Sequence, residues 1–161
     1  MISKPITAEY VIDTNTLIGF YTWVPISLNK IFWDKLEVAL KEKRWILLDV
    51  VVKEILHPKP LADWCKKLKN GGLVTDINDD DRNKAIDINN QYQMIDQDTH
   101  KSTVDTYIIA YALNNKKAVF SRETYKTNND TLYKIPDVCT LFKIEHTKRP
   151  EDFLNSIGFT N

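Results

Sequence analysis

Four carboxylates stand out by where they fall in the chain. Asp13 closes EYVID (9–13), a short apolar run that reads as a buried strand. Glu123 lies just after AVFS (118–121), a second such run. In open parallel sheets, ligands bind beyond the carboxyl ends of the strands, which is where these two acids sit. Glu54 and Asp105 fall on segments with helical character that follow predicted crossovers, so a packed α/β fold can bring all four to one rim. Carboxylates gathered in this way repel one another, and one or more takes up a proton unless a cation compensates. Hard oxygen ligands suit Mg²⁺ or Mn²⁺ rather than zinc. No His/Cys cluster competes, since His57, His100 and His146 are far apart in the sequence. A cation held by carboxylates polarises a phosphodiester and activates water for in-line attack.

The elements that must position these acids follow from pattern. Residues 25–44 read as a long helix with proline in its first turn, its apolar face built from Leu28, Phe32, Leu36, Ala39 and Leu40. WILL (45–48) reads as the second strand. Residues 50–56 are expected to be helical, with Asp49 able to cap them. HPKP (57–60) breaks that helix, LADWCKKLKN (61–70) forms another, and Gly71-Gly72 ends it. Residues 79–94 form a polar helix. Residues 102–115 form one that is apolar on nearly every side from Tyr107 to Leu113, which predicts deep packing. KIEH (143–146) is a last short strand, and 150–159 a closing helix. The resulting order, β-α-β-α…α-β-α-β, predicts a single α/β domain over residues 1–161, with a central, mainly parallel sheet covered by helices on both faces.

Each acid also has an ordinary structural role to weigh. Asp13 could end a strand at a turn, although an acid at the edge of a buried run is costly unless paired. Glu54 could lie on a solvated face. Ser102-x-x-Asp105 has the form of a capping box, and a helix N-terminus keeps a carboxylate ionised. Asp137, after Pro136, suits the first turn of a short helix and is a reserve candidate for the fourth acid. DINDDDRNKAID has the alternating acids of a calcium loop but lacks its glycine and its terminal Glu, so it reads as a solvated, acidic helix start. The lysines at 66–69 and 116–117 could touch phosphates but read as solvated faces. Most of Trp23, Trp33, Trp45 and Trp64 are expected in the core.

Lys+Arg and Asp+Glu both number 22, so net charge alone does not point to nucleic acid. No apolar run approaches a membrane span, and the first ten residues lack the apolar core of a secretory signal. Cys65 and Cys139 form no C-x-x-C pair and no disulfide framework. The expectation is a cytoplasmic protein.

Several segments together resemble the PIN-domain family. YVIDTNTLIGF looks like the opening of a PIN domain, and VVVKEIL resembles the segment carrying its second acid. STVDTYIIAYAL resembles the helix with the third acid, and AVFSRETY the strand end with the fourth. The resemblance is closest to bacterial and archaeal PIN-like proteins with a tryptophan-containing first long helix, here IFWDKLEVAL, and a late segment like KIPDVCTLF. It implies a three-layer α/β/α PIN-like fold. Asp13, Glu54, Asp105 and Glu123 would be the metal ligands, with Asn15 as a helper bonding a ligand or water. It further implies an Mg²⁺- or Mn²⁺-dependent ribonuclease acting on RNA, the toxin of a VapC-type toxin–antitoxin pair, blocked by a cognate antitoxin and able to form a homodimer. Departures from the family pattern are Glu in place of Asp at 123 and Thr106 directly after the third acid. Two rivals remain: a non-catalytic PIN-like binding module, and a haloacid-dehalogenase-like phosphatase, whose second Asp is replaced here by Asn15.

Overall fold

The strands are short, but every residue of the central two is apolar and buried, so each side chain faces one or other layer of helices. The computed structural model describes residues 8–159. Residues 1–7, part of the opening segment in which no secretory core was expected, lie outside them. The elements are β1 (Tyr10–Ile12), α1 (Thr14–Trp23), α2 (Lys30–Lys41), β2 (Trp45–Ile46), α3 (Asp49–Glu54), α4 (Lys59–Asn70), α5 (Asp79–Gln91), α6 (Thr103–Asn115), β3 (Ala118–Phe120), α7 (Ile135–Leu141), β4 (His146–Thr147) and α8 (Pro150–Ser156). The strands form one sheet in the order β2-β1-β3-β4, and every pairing is parallel.

Strand register divides the core into two faces. Tyr10 pairs with Trp45 and Ala118, and Ile12 with Phe120, so these side chains share one face. Phe153 of α8 lies against that face, stacked on Phe120 at 4.9 Å and edge-on to Trp45 at 5.8 Å and Tyr10 at 6.3 Å. Phe20 of α1 packs on Phe120, and the Trp45 indole N–H donates to the Leu36 carbonyl of α2 at 2.9 Å. Val11, Ile46 and Val119 face the other way, toward the layer in which α6 packs against β1 and β3. Helix α6 in turn packs on α3, α5 and α7. Ile108, Ile109, Ala110 and Ala112 are buried, as the all-round apolar pattern predicted. The fold is therefore α/β/α in three layers around a parallel sheet.

Several boundaries differ from the sequence expectation. The long helix begins at Lys30, not at residue 25. The N–H groups of Leu28 and Asn29 bond back to the Pro25 carbonyl in a turn, and the Asn29 side chain caps α2 by accepting from Phe32 N–H. Helix α1, for which no helix was expected, starts at once after β1. Its Thr, Gly and aromatic residues have modest helix propensity, and the packing of Leu17 and Phe20 into the core outweighs that. Asp49 caps nothing with its side chain in the usual way. Its carboxylate accepts from Val50 and Ile77 N–H, tying α3 to the segment ahead of α5. The acidic start of α5 is not wholly solvated either. Asp81 is buried, makes a capping box with Asn78 and accepts from the Asn114 amide of α6. No described helix is long and apolar enough to cross a membrane.

Phe153 touches three strands and helix α1, so truncating it empties the centre of one layer. Phe153→Ala is expected to lower unfolding free energy by about 3–5 kcal/mol. Urea denaturation measures this, and a loss under about 1 kcal/mol would mean that α8 does not close that face.

Candidate active site

The chain runs from β1 outward to β2 on one side of the sheet and from β3 outward to β4 on the other, so the strand order reverses between β1 and β3. A crevice opens at such a reversal, beyond the carboxyl ends of the two strands. Here it is a cleft of about 310 Å³ lined by Asp13, Asn15, Thr16, Ser102, Asp105, Arg122 and Glu123. Asp13 leaves β1 with its N–H still bonded to the Phe120 carbonyl, which carries the strand pairing into the site.

Asp13 is buried and fixed from two directions. As the N-cap of α1 it accepts the Thr16 N–H at 2.8 Å through Oδ1. Its Oδ2 accepts the Ser121 hydroxyl at 2.6 Å, from the residue that follows β3. Ser121 Oγ also accepts the Glu123 N–H at 3.1 Å, so one hydroxyl positions both acids. Glu123 is half-buried, and its Oε2 accepts the Ile135 N–H of α7 at 3.4 Å. Glu54, the last residue of α3, is exposed outside the cleft lining and accepts the Thr14 hydroxyl at 3.0 Å.

Asp105 lies in the first turn of α6. The capping box expected of Ser102 and Asp105 does not form. Ser102 has a φ of 70°, in the left-handed region, and its side chain makes no capping bond. The Asp105 carboxylate thus lines the cleft instead of closing its own helix. Asp137 is the acid that does cap. Its Oδ2 accepts the N–H groups of Lys134 and Lys126, so the reserve candidate serves the start of α7.

The carboxyls are electrostatically coupled. Asp105 is pushed up to about 7, first by burial and then by the charges of Glu123, Asp13 and Glu54, with the Ser102 hydroxyl acting the other way. Burial also raises Asp13, against the hydrogen bonds from Ser121 and Thr16. Glu123 is raised by burial, while the Ile135 N–H opposes the shift. No ion pair among the described residues involves Asp13, Glu54, Asp105 or Glu123. The donor set therefore matches a hard divalent cation in kind: oxygen ligands only, none of them engaged in an ion pair. It is not a closed cage, because no three His, Cys, Asp or Glu side chains among the described residues stand together as a ready ligand group.

Pattern reading missed four contributors. Thr14, Thr16 and Ser121 each hold an acid or its neighbour, and Arg122 lines the cleft. Thr14 and Thr16 flank Asn15 in DTNT, and Ser121 and Arg122 precede Glu123, so adjacency to the acids is the signal that could have found them. Asn15 is exposed on the cleft wall. The lysine groups lie elsewhere. Lys116 ends α6 and Lys117 pairs with Glu9 at 2.6 Å, both at the amino end of the strands, and Lys67 pairs with Glu37.

The raised Asp105 carboxyl has a consequence for stability. An acid that holds its proton more tightly when folded stabilises the fold at low pH, and that contribution is lost as pH rises from about 4 through about 7. Above pH 7 without divalent ions, Asp105→Asn is expected to be more stable than the unaltered chain by about 1 kcal/mol or more, roughly 2–4 °C in Tm. Below pH 4 that advantage disappears. Thermal melts across this pH range check the sign, and a pH-independent difference would contradict it.

No curated protein and no solved structure matches the chain. A family model described as a domain of unknown function, DUF4411, matches residues 10–160, a span that begins at β1 and holds every acid of the cleft. This chain belongs to the DUF4411 family.

Proposed function

We propose that this protein is an Mg²⁺- or Mn²⁺-dependent endoribonuclease that hydrolyses RNA phosphodiester bonds in the cleft beyond β1 and β3. The observation that carries the reading is the convergence of Asp13, Asp105 and Glu123, from three separate segments, on one cleft with Glu54 at its margin and, among the described residues, no ion pair to any of the four. The resemblance of the same four segments to PIN domains supports it. That resemblance also underlies the wider proposal: the toxin of a toxin–antitoxin pair, cytoplasmic, held inactive by a cognate antitoxin and able to form a homodimer.

Asp13, Asp105 and Glu123, with Glu54 at the margin, would hold the divalent ion. When bound, such an ion supplies charge for the phosphoryl oxygens and acidifies a water molecule. The protein's own part is preparation. Thr16 and Ser121 fix the Asp13 carboxylate before any substrate arrives, and Ser121 ties Glu123 to the same point. Asp105, pushed up to about 7 by burial and its acidic neighbours, would give up its proton to serve as a ligand when a cation is bound. Asn15, exposed on the wall, offers an amide to a water or a phosphate oxygen.

One observation favours a second reading, a non-catalytic binding module on the same fold: among the described residues, no three acids are preassembled as ligands. Two measurements separate the readings. Asn caps helices about as well as Asp, so Asp13→Asn preserves α1 while weakening the charge cluster. With Mg²⁺ or Mn²⁺, the unaltered chain is expected to cleave RNA and Asp13→Asn to be slower by about 100-fold or more. Equal cleavage by both would refute the mechanism. Millimolar Mn²⁺ is also expected to raise Tm, and to do so less in Asp105→Asn. No cleavage together with an unmoved Tm would favour the binding module over the nuclease.

A further inference from the structure

Three of the four tryptophans are buried, with exposures of 1% at Trp33, 1% at Trp45 and 8% at Trp64. Trp23, the last residue of α1, is 73% exposed. Its indole is not bare, because the Arg122 guanidinium lies over the ring with Cζ 5.0 Å from the centroid. Arg122 is also the cation that lines the acid cleft. Its backbone is anchored there, since its N–H donates to Thr16 Oγ1 at 3.0 Å. Its side chain then runs along α1, passing close to Gly19, where a β-carbon would stand 3.8 Å from Nη1. Among the described residues Arg122 makes no ion pair, even though it stands among carboxylates. Cation–π attraction to Trp23 holds the guanidinium, and among the described residues no hydrogen bond uses its donors.

We infer that Trp23 and Arg122 form a nucleotide subsite beside the acid cleft, where a base of single-stranded RNA stacks on the indole and the guanidinium takes the adjoining phosphate. The inference rests on the nuclease reading of that cleft. An exposed indole offers a face to any unstacked base, and base–aromatic stacking is tolerant of sequence. A guanidinium presents paired N–H donors that match phosphate oxygens. Bases in a duplex are already stacked on one another, so this arrangement selects single strands. It also places a positive group in a cleft whose other charged lining side chains are all carboxylates.

The test uses the full chain carrying Asp13→Asn, so that the probe survives, and a fluorescein-labelled single-stranded RNA of about 12 nucleotides in Mg²⁺, within the span of one single-strand site. Trp23→Ala is expected to weaken binding by about 5- to 150-fold. Trp23→Phe, which keeps an aromatic face, should stay within roughly 3-fold of the parent. Arg122→Ala should weaken binding and reduce the salt slope by about one. Trp23 is the exposed tryptophan, so RNA should shield the intrinsic fluorescence from acrylamide, and this shielding should vanish in Trp23→Ala. The exposure of Trp23 keeps its replacement clear of the core, and circular dichroism of each variant verifies the fold. Equal binding by Trp23→Ala and its parent, equal binding of duplex and single-stranded probe, or no binding at all would overturn the subsite. The two readings fail separately. Cleavage that ignores Trp23 leaves the nuclease standing and removes the subsite, whereas Trp23-dependent binding without any cleavage by the unaltered chain does the reverse.

Discussion

The hydrogen bond from the Ser121 hydroxyl to the Asp13 carboxylate joins the ends of the two central strands, and the rest of the site is arranged about it. It can form because β1 and β3 are parallel neighbours in register, Ile12 beside Phe120, so the next residues of each strand emerge side by side. Parallel pairing of strands this far apart in sequence requires crossovers, and the helices of those crossovers carry the remaining acids. Glu54 ends α3, and Asp105 opens α6, which packs on both central strands. A single pairing thus sets the positions of four side chains.

The same pairing generates an electrostatic problem. Burying Asp13 between Thr16 and Ser121 gives it neutral donors but no counter-charge, and Asp105 meets its field together with those of Glu123 and Glu54. A protein selected for stability alone would place a lysine or an apolar residue at one of these positions, because unpaired buried charge opposes folding. Asp81 and Asp137 receive backbone N–H groups at helix starts, and Glu37 and Asp49 have lysine partners. Asp13 and Glu123 accept hydrogen bonds too, so what marks the cleft as a place where stability has been given up is the gathering of acids whose charges raise Asp105 with no lysine or arginine paired to them.

Much of this is legible in the sequence. The strand cores EYVI and AVF, the apolar helix after Asp105 and the parallel order all follow from unbroken apolar runs and helical spacing, signals that burial itself imposes. Asp13 and Glu123 are legible because a parallel sheet fixes where its functional edge lies. Helix α1 is not, because its local propensity is poor and its stability comes from distant partners such as Phe120. The start of α2 is blurred because Pro25 fits a turn as well as a helix opening. The apparent capping box at 102–105 misleads because its form does not reveal a left-handed Ser102. The dual role of Ser121 depends on a contact across 108 positions of sequence, which no local pattern encodes.

That separation has a consequence for how the protein is made. Asp13 and Glu54 leave the ribosome well before Asp105, Ser121 and Glu123. Until β3 has emerged and inserted beside β1, Asp13 has neither its hydroxyl donor nor the acidic neighbours that follow in the chain. A nascent chain cannot build the cleft piecemeal. The centre is complete only once β3 has emerged from the ribosome and paired with β1, so the last third of the chain decides when it exists.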